Sequence, residues 1–217
     1  MNKNVRSCIM SIVTYNNRSI RNISAVPGAA QSLTHIKTLT ASSSANLSFV
    51  DGSSDVVLDS TYPIYVFKII NLHPATNNVK VTMNLSIDSG SNYNVAKTTT
   101  AFGAYHDEED ANAALQYVSD NDLAQSTSVQ NITPQSSLGN ENDECLSGQM
   151  FLFNPASTTF VKHFLIETVD PHHVTLANHN FIAGYANTTS AVDAVQFKMA
   201  SGNIDAGTIK LYGIKDS

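Results

Sequence analysis

Tryptophan is absent from this chain of 217 residues, and aromatic residues make up only 8% of it. A sugar-binding sandwich usually presents exposed aromatic platforms, so a glycan-binding role starts with little support. Tyr93, Tyr105 and Tyr117 are the residues left to build one. Charge is scarce too, at 14% of residues, against ~25% in an ordinary domain. The 12 Lys and Arg form no basic patch, and the formal net charge is −6. Nucleic-acid binding needs clustered cations to neutralise phosphates, which argues against DNA or RNA as a direct ligand. The same acidity works against docking on anionic lipid. No apolar run approaches the ~18–20 residues of a membrane-spanning helix. Only two cysteines occur, Cys8 and Cys145, with no metal-ligand spacing around either. The plain reading is two free thiols in a reducing compartment, with a bridge between them left open. The early apolar run from Cys8 to Val13 is short and broken by Ser11. It leads into polar Tyr15-Asn16-Asn17-Arg18 with no small-residue cleavage site, so it does not read as a signal peptide.

What is present instead is Asn, Ser and Thr, with a hydrophobic fraction of 42% that suffices for a core. These polar residues favour turns and exposed strand faces and form helices poorly. The several Asn-x-Ser/Thr triplets arise by chance in such a composition and carry no weight.

Residues 1–33 read as an N-terminal arm: polar, bearing Arg6, Arg18 and Arg21, with a turn at Val26-Pro27-Gly28 and a short strand at Ile9–Thr14. Residues 34–217 read as one β-sandwich domain. Strands are expected at Leu33–Leu39, Ala45–Val50, Tyr62–Leu72 and Val79–Leu85. The last two flank His73-Pro74-Ala75-Thr76-Asn77-Asn78, so the pattern predicts a hairpin. Lys97–Tyr105 is expected to be extended. A single helix is predicted at about 107–118, where Asp107, Glu108, Glu109 and Asp110 suit a helix N-terminus and Ala111, Ala114, Leu115 and Val118 follow at helical spacing. After a polar stretch with a short strand at Val129–Thr133 and an exposed loop at Ser136–Asp143, strands resume. They are expected at Ser147–Phe153, Phe160–Thr168, Phe181–Tyr185, Ala191–Met199 and Gly207–Tyr212. Short strands at this spacing make the chain all-β and suggest a sandwich or barrel.

Three clusters invite a chemical reading. His163, His172, His173 and His179, with Asp170, could ligate a transition metal, but their spacing matches no ligand motif and loop histidines are the simpler reading. Asp88-Ser89-Gly90-Ser91-Asn92-Tyr93-Asn94 is oxygen-rich like a calcium loop, yet it lacks a terminal bidentate acid. The acids of 107–110, or Asp170, would have to pair across a cleft at ~5–9.5 Å to hydrolyse a glycoside. No GxSxG, phosphate-binding loop or HExxH occurs. No catalytic, metal or cofactor residue is therefore assigned.

The strand and turn stretches resemble a known family. They are Asp59–Tyr62 with Val66–Thr76, Asp88–Tyr93, Leu152–Phe164, and Phe197–Ile204 with Gly207–Gly213. Together they are similar to β-sandwich virion proteins of tailed bacteriophages, especially those of marine and cyanobacterial hosts. The resemblance covers most of 35–214 and fits the arm less well. It implies a jelly-roll virion component without catalytic residues or cofactors. Such a component, placed on the head in preference to the tail, binds other virion proteins of the capsid or tail in symmetric copies after assembly in the host cytoplasm. A tail component, or a receptor-binding module for host-surface glycan, is the alternative.

Overall fold

The computed structural model describes residues 33–135, 137–172 and 176–215, with only the backbone of His172. The arm expected at 1–33, its strand at Ile9–Thr14 and Cys8 lie almost wholly outside these residues. The rest is all-β. Twelve strands follow in order: β1 (Thr34–Thr40), β2 (Leu47–Val50), β3 (Ile64–Pro74), β4 (Val81–Ser86), β5 (Lys97–Asp107), β6 (Ala113–Tyr117), β7 (Gln130–Asn131), β8 (Leu146–Phe153), β9 (Lys162–His172), β10 (Leu176–Ala186), β11 (Ala194–Met199) and β12 (Ile204–Ile214).

They form two antiparallel sheets. The larger runs β1-β12-β3-β8-β9-β10-β5-β6 and the smaller runs β2-β11-β4-β7. If β5, β6, β9 and β10 are set aside, two four-stranded sheets remain, β1-β12-β3-β8 and β2-β11-β4-β7. That is the strand order of an eight-stranded jelly roll. The four remaining strands enter the chain as two insertions, one between β4 and β7 and one between β8 and β11. They extend the larger sheet beyond β8 as β9-β10-β5-β6.

Three expectations are corrected. β3 and β4 are not a hairpin: β3 pairs β12 and β8, while β4 pairs β11 and β7 in the other sheet. The Pro/Asn turn between them carries the chain across the sandwich. Alternation and a turn look the same in a hairpin and in a crossing. The helix at 107–118 is also absent. β5 runs on to Asp107, and Asp107 Oδ1 accepts the Ala111 N–H at 2.8 Å while Oδ2 accepts from Asn112 Nδ2 at 2.6 Å. Asp110 sits at φ 55, which ends any helix, and the chain returns as β6. The acids serve a turn. The stretch Ser136–Asp143 is not simply an exposed loop, because Leu138 is fully buried and exchanges both backbone bonds with Val79.

The core lies between the sheets. Phe67 packs edge-on against Phe49 and tilted against Phe197, with ring centroids 5.2 and 5.6 Å apart. Tyr65, Leu72, Met83, Leu85, Leu152 and Leu211 close around them. Each such side chain removed from water contributes roughly 1.5–3 kcal/mol.

Candidate interaction surface

β9 alternates without exception over its first nine residues. Lys162, Phe164, Ile166, Thr168 and Asp170 are buried, whereas His163, Leu165, Glu167 and Val169 point outward. The register carries this through β10 and β5: Leu165 lies beside Ala183, Glu167 beside Phe181, and Phe181 beside Phe102. On the other side, Leu165 lies beside Phe151 of β8. The outer face of the extension is therefore aromatic and aliphatic. Phe102 and Phe181 stack at 5.1 Å, and Tyr117 of β6 continues the row beside Phe102. Phe102, Leu165 and Val169 are 43%, 48% and 52% exposed, too much for core residues.

Two shallow grooves cross this face. One of about 300 Å³ is lined by Phe102, Phe151, Leu165, Glu167, Phe181 and Ala183, among others. The second, about 490 Å³, shares Leu165 and Ala183 and reaches Thr98, Thr100, Phe153, His163 and Tyr185. One polar chain runs through the face. Glu167 accepts from Gln149 Nε2 at 3.1 Å and pairs with His179 Nε2 at 2.9 Å, and Lys68 donates to Gln149. The hydrogen bonds from Gln149 and His179 hold the Glu167 carboxyl below the usual range.

The inner face of the same extension is polar. Asn178 and Asn180 donate to Asp170 at 3.1 and 2.6 Å, and Thr168 donates to the Ile132 carbonyl at 2.7 Å. Thr99 donates to Gln130 at 2.7 Å, and Gln130 donates to the Asn121 and Asn131 carbonyls. Lys80 binds the carbonyls of Thr133 and Pro134. The segment from Val118 to Gln135 thus underlies the extension, and its carbonyls accept from Thr168, Gln130 and Lys80, while Asp170, Asn178 and Asn180 bond one another. Lys97, fully buried, gives its ammonium to Asn84 Oδ1 at 2.6 Å and the Val95 carbonyl at 2.8 Å. Burial lowers its pKa from 10.5 to about 8.

The residues singled out in the sequence fall elsewhere. His163 packs against Tyr185, whereas His179 sits beside Val169, six residues from His163's row along the sheet. His173 and the His172 side chain lie outside the described residues. Among the described residues, no three His, Cys, Asp or Glu side chains converge as metal ligands. In the 88–94 loop, Asp88 Oδ1 accepts the Asn92 N–H and Oδ2 accepts Asn92 Nδ2, at 2.8 and 2.7 Å. Its carboxylate is engaged in closing the turn. Asp110 pairs with His106 at 3.1 Å in the β5–β6 turn, and Asp170 lies beneath the sheet. Tyr105 and Tyr117 occupy opposite faces, so the three tyrosines form no single platform. Cys145 carries a free thiol, made less acidic by partial burial.

The aromatic outer face was missed in the sequence. Its signal was present as the alternate set Leu165, Glu167, Val169 and Phe181, Ala183, Tyr185, but nothing in the pattern said which set faces solvent.

No protein-family model, curated protein or solved structure matches this chain.

Proposed function

We propose that this chain is a bacteriophage virion structural protein, associated with the head, that works by binding neighbouring virion proteins and not by catalysis. The observation that carries this reading is the outer face of the extension, which leaves Phe102, Leu165 and Val169 in water. Exposing large apolar groups forgoes their transfer energy. A sheet tuned only for the free monomer would carry polar residues on that face. Contiguous apolar patches rimmed by polar groups mark protein-binding surfaces. The strand and turn stretches similar to tailed-phage virion proteins supply the context.

The test is mass spectrometry and cryo-electron microscopy of purified particles from the phage that makes this chain. The expected result is the chain in the particle, with Leu165 and Phe181 covered by a capsid or tail neighbour. Absence of the chain from purified virions overturns the proposal. A receptor-binding tail module has one observation in its favour, the aromatic row Tyr117, Phe102 and Phe181, and a glycan array decides it: binding to one glycan class supports it, and a blank array removes it.

A further inference from the structure

β6 is an edge of the eight-stranded sheet, and no strand among the described residues pairs with its outer side. The Val118 N–H bonds the Ala101 carbonyl and the Asp107 N–H bonds the Asn112 carbonyl, so the even-numbered residues of β6 face β5. Ala113, Leu115 and Tyr117 therefore turn their backbone N–H and C=O groups to the free side. Leu115 is 74% exposed and Tyr117 58%. Such an edge is a template for another strand, and proteins usually blunt it with Lys, Pro or a bulge. Here none of these is present. Acids flank it instead: Glu108, Glu109 and Asp110 before it, Asp120 and Asp122 after it.

The rest of the sequence contains the complement. Lys3, Arg6, Arg18 and Arg21 lie in residues 1–32, a stretch without one acid, and all 18 Asp and Glu lie beyond it. No arginine occurs after Arg21. Between Arg6 and Arg18 runs Cys8-Ile9-Met10-Ser11-Ile12-Val13-Thr14, rich in β-branched and apolar residues and long enough to cover the five residues of β6. A basic–apolar–basic segment thus matches an acidic–apolar–acidic edge.

We propose that β6 accepts residues 8–14 of a second copy of this chain as an added ninth strand. The proposal rests on the reading of the chain as an assembling structural protein and names one of its contacts. β1 and β6 are opposite edges of one sheet, roughly 34 Å apart at the usual strand spacing. Copies set edge to edge bring the β1 of one beside the β6 of the next, which delivers the segment preceding β1 to the open edge. With copies set edge to edge in this way the contact is heterologous and propagates into a ring or a row. Main-chain bonds supply affinity, and the flanking charges set partner and register.

The experiment uses the full-length chain. Two versions are mixed, both Cys145→Ser: one keeps Cys8, and the other carries Cys8→Ser and Ala113→Cys. Mild oxidation is expected to give a covalent heterodimer, which a merely intramolecular contact cannot produce. In sedimentation equilibrium, Leu115→Pro removes an outward N–H without touching the β5 ladder and is expected to weaken self-association at least tenfold. Reversing Arg6, Arg18 and Arg21 to Glu weakens it similarly. Mixing that chain with one carrying Glu108→Lys, Glu109→Lys and Asp110→Lys restores association, and this arm still decides the matter if Leu115→Pro fails to fold. A chain that stays monomeric, or associates equally well with all of these changes, overturns the proposal. If particles nevertheless contain the chain, only this contact falls and the virion reading stands.

Discussion

Lys97 offers the sharpest test of how the extension joins the jelly roll. It opens β5, is fully buried, and makes its hydrogen bonds to the side chain of Asn84 and the carbonyl of Val95. A pKa lowered from 10.5 to about 8 means that folding penalises its charged form, by about 3 kcal/mol at neutral pH. The unfolded chain holds a proton on this lysine up to about pH 10.5, whereas the folded chain releases it near pH 8. Between these values the unfolded state binds more protons, so this group makes stability rise with pH. The neutral amine still donates to both oxygens, so nothing is lost on deprotonation. Lys97→Met removes the titration. Urea unfolding of both proteins from pH 7 to 10 isolates it, because every other ionisable group cancels in the difference. At pH 7 the two differ modestly: methionine relieves the buried charge but leaves the Val95 carbonyl without a donor, at about 1–3 kcal/mol. From there the stability of the wild type relative to the variant is expected to climb by about 2.5 kcal/mol by pH 10. A difference that stays flat across this range refutes the claim that the ammonium is desolvated, and with it the tight joint between β5 and β4.

Gly148→Ala places a Cβ 2.2 Å from the Glu167 carbonyl oxygen, a backbone atom at the β8–β9 junction; a loss of about 3 kcal/mol is expected in denaturant unfolding. Leu165→Asp alters a residue 48% exposed, so stability shifts by less than about 1 kcal/mol while incorporation into particles, read by immunoblot, falls away. Asp88 has a carboxyl pKa lowered by its bonds to Asn92. Its contribution is present above about pH 4 and disappears as the pH falls through the folded pKa, so the gap between wild type and Asp88→Ala in thermal unfolding is expected to close on acidification.

The sandwich was legible because β-branched and aromatic alternation bounded by turns is a local signal, and every strand of the jelly roll proper falls on or beside an expected one. Sheet membership was not legible. β3 and β4 show the reason: alternation records that a strand has two faces, and a turn records that the chain reverses, but neither says whether it reverses within a sheet. In the observed topology, consecutive strands pair only at β5–β6, β8–β9 and β9–β10, all made with or by the insertions. The turn at 107–111 misled for a related reason. Acids followed by alanines at helical spacing satisfy the rules for a helix start, yet Asp107 uses both carboxylate oxygens to hold a tight turn, and the alanines find no core to face. The candidate surface was hidden by composition. In β9 the buried set is Lys, Phe, Ile, Thr and Asp and the exposed set begins His, Leu, Glu, Val, so hydrophobicity alone does not choose between them.

The placement of polar residues beneath the extension follows a boundary. Along β9 the buried side chains change from Phe164 and Ile166 to Thr168 and Asp170, and along β10 they change from Asn178 and Asn180 to Ile182 and Ala186. These are matched positions in one register, Thr168 opposite Asn180 and Ile166 opposite Ile182. At the apolar end the extension contributes to the sandwich core. At the polar end the irregular segment 118–138 underlies it, and an irregular backbone presents carbonyls and N–H groups that an apolar face would leave unpaired. Thr168 bonding the Ile132 carbonyl is the point of change. The polar inner face is thus dictated by what lies beneath it. The outer face has no such constraint: nothing within the described residues covers Phe102, Leu165 or Val169. Their apolar character has no role in the described monomer beyond the Phe102–Phe181 stack, and it is what the proposed virion neighbour would use.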